Sequence, residues 1–63
     1  MYVEVYYLTK TRCTGRKLQH YERAEAEGIY MRTIGKMTEN KTECMVTLRE
    51  DNHELVKSEL IKP

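Results

Sequence analysis

Arg16-Lys17-Leu18-Gln19-His20-Tyr21-Glu22-Arg23-Ala24-Glu25-Ala26-Glu27, followed by Gly28 and then Ile29-Tyr30-Met31-Arg32-Thr33-Ile34, can be built as helix or as strand, and the order of elements along the chain turns on which it is. Leu, Gln, Glu, Arg and Ala are good helix formers, and Ala and Glu are poor strand residues, so 16 to 27 reads as a helix. Gly28 stands where a glycine just past a helix end belongs, Thr14 can cap the start, and Arg23 can pair with Glu27 one turn on. The apolar stripe of that helix, Leu18, Tyr21 and Ala24, is narrow. The alternative makes residues 16 to 24 a strand folded back on residues 2 to 9.

Upstream, residues 2 to 9 are rich in β-branched and aromatic types. Strand alternation places Val3, Val5 and Tyr7 on one face and Tyr2, Tyr6 and Leu8 on the other, so both faces are apolar apart from Glu4. Lys10 to Lys17 has no apolar periodicity and holds a small-residue turn at Thr14-Gly15, which predicts a loop. Downstream, Ile29–Ile34 and Cys44–Leu48 flank the polar stretch Thr38-Glu39-Asn40-Lys41-Thr42 and read as the two arms of a hairpin. Asp51-Asn52-His53-Glu54 has capping-box spacing and predicts a final helix from Asn52 to Ile61, docked through Leu55, Val56, Leu60 and Ile61. The expectation is one small α+β domain spanning 1–63, in β-α-β-β-α order with an antiparallel hairpin. A mainly β meander with a C-terminal helix is the alternative.

The 63 residues are 40% apolar, enough for one thin core layer and too much for intrinsic disorder. A third are charged, yet 11 Lys and Arg against 10 Asp and Glu leave +1, so no global field favours nucleic acid or a membrane. No apolar run approaches the ~20 residues of a membrane helix, and the first residues do not read as a secretory leader. The cysteines, Cys13 and Cys44, are then expected to be reduced thiols in a cytoplasmic protein, and Asn40-Lys41-Thr42 to be unglycosylated.

Cys13, His20, Cys44 and His53 make a complete two-Cys, two-His set, but none of them form the close pairs that zinc sites use. No metal and no cofactor are expected. Arg12, Arg16 and Lys17 would favour a Cys13 thiolate, and His20 could approach it, but a chain this short scarcely encloses a substrate. Ser58 is the sole serine, the acidic residues fall on expected helix faces and a cap, and Gly15, Gly28 and Gly35 are too far apart for a phosphate loop. No enzyme activity is expected.

Two features point to binding. Residues 1–36 carry seven positive charges against four negative, and 37–63 four against six; Lys10, Arg12, Arg16 and Lys17 fall within eight residues. Such a cluster suits phosphates or an acidic partner. Five Tyr with no Phe or Trp is a skewed aromatic choice, and Tyr offers apolar area with a polar tip. Tyr2, Tyr6 and Tyr7 are accordingly the expected partner-binding residues, on a first strand that also mediates homodimerisation. The sequence thus reads as a small binding or regulatory protein acting by protein–protein contact, and alternatively as a nucleic-acid-binding domain using the loop at residues 10 to 17.

Overall fold

Two long strands, one long helix and two further strands follow one another in the computed structural model, which describes residues 1–10 and 12–63. The elements are β1 (Tyr2–Thr9), β2 (Arg12–His20), α1 (Arg23–Glu39), β3 (Cys44–Arg49) and β4 (Leu55–Ile61). They form a four-stranded sheet of order β2-β1-β3-β4, with every neighbouring pair antiparallel. The α+β class expected from the sequence holds, and the β-α-β-β-α order gives way to β-β-α-β-β.

The decisive stretch divides at Tyr21 and Glu22. Residues up to His20 belong to β2, which pairs back on β1 from Tyr2↔His20 to Thr9↔Arg12, with a bulge between Tyr7 and Leu8. The helix expected over 16 to 27 is therefore a strand in its first half, and most of the segment expected to be a loop belongs to β2; Thr11 lies outside the described residues. The reason lies in its place at the sheet edge. All of β2 except Gly15 is exposed, so no apolar alternation was required of it.

The second half of the stretch opens α1, which runs through Gly28 and Gly35 for 17 residues. Glycine costs a helix interior about 1 kcal/mol relative to Ala, an amount that packing of a continuous stripe overrides. That stripe is Ala26, Ile29, Tyr30, Ile34 and Met37, at helical spacing across both glycines, with Ala26 and Tyr30 buried. Ile29–Ile34 is thus helix, and the hairpin expected between it and Cys44–Leu48 does not exist. The stop comes at Lys41, whose positive φ of 53° supplies the left-handed residue. Its N–H donates to the Thr38 carbonyl and that of Thr42 to the Met37 carbonyl, the paired bonds of a Schellman ending.

Cys44–Leu48 is a strand as expected, but it lies between β1 and β4. The expected helix from Asn52 to Ile61 is a tight turn followed by β4. In the turn the His53 N–H donates to the Glu50 carbonyl, the Glu54 N–H to Asn52 Oδ1, and His53 takes a positive φ of 71°. Asp51-x-x-Glu54 therefore closes a hairpin rather than opening a helix.

The core is the layer between α1 and one face of the sheet: Val3 and Val5 from β1, Cys44, Val46 and Leu48 from β3, Ile61 from β4, and Ala26 and Tyr30 from α1, closed by Met1. Each large aliphatic side chain buried there contributes about 1.5–3 kcal/mol. The helix packs on β1, β3 and β4, and among the described residues its backbone stands clear of β2. No helix of the described residues is long and apolar enough to cross a membrane.

Candidate protein-binding face

Among the described residues one helix covers one side of the sheet, and the other side has no second layer. The strand registers lay out its side chains in rows. Arg16, Tyr6, Met45 and Leu60 form one, Leu18, Glu4, Thr47 and Ser58 the next, and His20, Tyr2, Arg49 and Leu55 the third. Leu18, Leu55, Val56 and Leu60 are exposed, and Tyr2, Tyr6 and Met45 are half-buried.

At the centre of this apolar field sits Glu4, only 1% exposed. Its Oε1 accepts from Thr47 Oγ1 and Arg49 Nε, each at 2.9 Å, and its Oε2 from Arg16 Nε at 2.7 Å and Arg16 Nη2 at 2.6 Å. Burial alone would raise the Glu4 pKa, but hydrogen bonds from Arg49, Tyr6, Thr47 and Arg16 outweigh it and lower the group from 4.5 to about 2. The carboxylate is thus ionised, saturated with donors and unavailable as a base. Arg49 also donates from Nη1 to the His53 carbonyl at 2.9 Å, fastening the β3–β4 turn to the sheet.

Of the expected partner-binding tyrosines, Tyr2 and Tyr6 lie on this open face. The Arg16 guanidinium stands 5.8 Å from the Tyr6 ring centre. Tyr2 stacks on His53 (5.0 Å, 16°) and meets His20 edge-on (4.9 Å, 72°). Tyr7 lies on the helix side, packed against the core. It lines a groove of about 110 Å³ beside β2, with Val5, Lys17, Tyr21, Thr33 and Lys36. Because β1 sits between β2 and β3, its backbone is fully paired and only its side chains are free to meet a partner.

The basic cluster is dispersed. Arg16 is committed to Glu4 on the open face, Lys17 stands opposite Val5 on the helix face, and Lys10 and Arg12 are exposed at the β1–β2 hairpin. Cys13 is exposed there too, its Sγ 3.3 Å from the Gly15 carbonyl. His20 lies seven positions along the strand, roughly 20 Å away at strand rise, so it does not serve Cys13. Both histidines, expected on helix surfaces, stand instead at a strand end and in a turn, where His20 Nε2 is 2.9 Å from Asp51 Oδ1. Cys44 is buried in the core, which raises its thiol pKa. Among the described residues no three His, Cys, Asp or Glu side chains come together as a metal would require. The carboxylate clamp and the His–Tyr–His stack were missed from sequence, because each is assembled from three separate segments.

No protein-family model, curated protein sequence or solved structure matches this chain.

Proposed function

We propose that this is a small, non-enzymatic binding protein that docks on another protein through the open face of its sheet, with Tyr2 and Tyr6 as contacts beside Leu18 and Met45. The supporting observation is that apolar side chains from all four strands share a face that no described element covers, around a carboxylate whose bonding is complete. Tyr and Met are enriched where proteins meet. The clamp pairs the charges at the centre of the face with one another, so the partner is a protein surface that is largely apolar. A cytoplasmic setting belongs to the same proposal, resting on the free thiols of Cys13 and Cys44.

A nucleic-acid role through Lys10, Arg12, Arg16 and Lys17 is less well supported by the geometry, since one of the four is neutralised and another is on the opposite face. Crosslinking in the native cell identifies the partner, and calorimetry with the purified pair tests the face. Tyr6→Glu and Leu18→Glu should each weaken binding at least tenfold while the fold persists. A partner affinity indifferent to both changes refutes the proposal. So does submicromolar, salt-sensitive oligonucleotide binding that disappears when Lys10, Arg12 and Lys17 are changed to Ala, whereas non-specific contact stays near 100 μM or weaker at physiological salt.

A further inference from the structure

One edge of the sheet, β4, has a sequence that is complementary to itself. Its inner side pairs with β3 from Cys44↔Ile61 to Arg49↔Leu55, and its outer side presents backbone N–H and C=O groups to no strand among the described residues. Residues 55 to 60 are all exposed, Leu55, Val56 and Leu60 among them. Natural edges are blunted by charges, bulges or proline, are covered, or pair; in β4 the charges are Lys57 and Glu59, of opposite sign and placed two residues apart. The one irregularity in β4 is the bulge opposite Leu48 and Arg49, at its start.

We propose that β4 pairs antiparallel with β4 of a second copy, about a two-fold axis through Ser58. That register sets Lys57 opposite Glu59 of the copy and Val56 opposite its Leu60, and the bulge at Leu55 ends the face-matched pairing there. Within residues 56 to 60 each ionic residue meets its opposite and the two apolar residues meet one another. The faces also agree: Lys57 and Glu59 stand on the helix side, opposite Leu48 and Val46, while Val56 and Leu60 stand on the open side.

Neighbouring registers fail on charge. Directly opposed residues of an antiparallel pair share a face, so a two-fold register can change only by moving the axis a whole residue. Centring on Lys57 sets Lys57 against its own copy, and centring on Glu59 does the same with Glu59. Like charges directly opposite are destabilising, so of these three registers the Ser58 axis is the one that satisfies the pattern. Within its own chain Lys57 Nζ is 3.0 Å from Glu27 Oε1, leaving the dimer lysine between two carboxylates.

The product is an eight-stranded sheet with both helices on one side. Its open faces join into one surface, because the Arg16-Tyr6-Met45-Leu60 row continues into Val56 of the copy. The interface is backbone and edge, so it does not depend on the partner reading above.

Sedimentation of the purified protein from micromolar to millimolar concentration tests the proposal, with circular dichroism to verify folding. A dimer is expected, and Lys57→Glu or Glu59→Lys alone should weaken it at least tenfold, since each replaces two attractive cross-strand pairs by two repulsive ones. Glu59 makes no ion pair with its own chain among the described residues, so Glu59→Lys serves as the test even where Lys57→Glu disturbs the fold. The double exchange Lys57→Glu with Glu59→Lys restores complementarity and should bring dissociation back to within about threefold of the parent. A monomer at millimolar concentration overturns the inference. A dimer indifferent to Glu59→Lys but weakened by Tyr6→Glu also overturns it, and places self-association on the open face instead.

Discussion

Removing the negative charge of Glu4, by acid or by Glu4→Gln, should be the most damaging perturbation available on the open face. The folded-state pKa of about 2 lies below the ordinary 4.5, so the carboxylate binds its proton more readily in the unfolded chain. The stability it contributes is therefore fully present above pH 4.5 and is lost as pH falls toward 2. At 1.36 kcal/mol per pH unit, that difference corresponds to about 3 kcal/mol. Arg49 is the largest of the stabilising donors, ahead of Tyr6 and Thr47, and Arg16 is the smallest, its side chain being 53% exposed against 27% for Arg49 and so more strongly screened by water. For a domain this small the whole stability is about 3–9 kcal/mol, so the loss approaches unfolding. Urea titrations followed by circular dichroism between pH 2 and 7 provide the measurement. The parent should lose about 3 kcal/mol more than Glu4→Gln across the acid window, and the two should differ by a similar amount at pH 7. Equal stability at pH 7 together with parallel acid slopes would refute the electrostatic account of the clamp.

Gly28→Ala and Gly35→Ala should each raise stability by about 0.5–1 kcal/mol, because neither glycine has a positive φ and an added Cβ at either meets no atom within 4 Å. Thermal melts should show gains of about 4–8 °C per kcal/mol, and a loss at either site would mean that the helix is interrupted there. Cys44→Ser should cost about 1–3 kcal/mol by placing a hydroxyl at a fully buried core position, whereas Cys13→Ser, at an exposed one, should be nearly neutral in the same melts.

How far the sequence could be read depended on which residues were buried on one side only. The alternating faces of β1 and the Cys44–Leu48 strand were legible because each has Val or Leu directed at the helix. Residues 16 to 24 offered a choice between helix and strand, and the chain uses both: 16 to 20 are strand, while 23 and 24 open the helix. The edge strand buries nothing that would mark its period. The helix was cut short in reading at Gly28, since glycine is a local signal of helix termination while the stripe that overrides it spans Ala26 to Met37. Its true end was hidden because Lys41, not glycine, occupies the left-handed position. The last segment misled for a related reason. Leu55, Val56, Leu60 and Ile61 have helical spacing, yet in β4 only Ile61 reaches the core, and the other three face water. Tyr2 and Tyr6 were correctly assigned to one face, and Tyr7 to the other, by alternation alone.

The same reasoning shows where the register of β2 is specified. A strand exposed along nearly all its length has no hydrophobic set to hold it, and a slip of one residue would exchange its two faces. A buried ion pair is weak evidence for net stability, because desolvation offsets much of the attraction, but it is demanding of geometry. Slipping β2 by one residue would turn Arg16 to the helix side and bring Gly15 or Lys17 opposite Tyr6, leaving Glu4 with one guanidinium instead of two. Glu4 thus ties β2 through Arg16 and β3 through Thr47 and Arg49, and Arg49 in turn holds the β3–β4 turn. On a sheet face without a second layer, this charged cluster fixes strand register as a core does on the other face. It also leaves the apolar side chains around it at the surface, in a defined arrangement, where a partner can meet them.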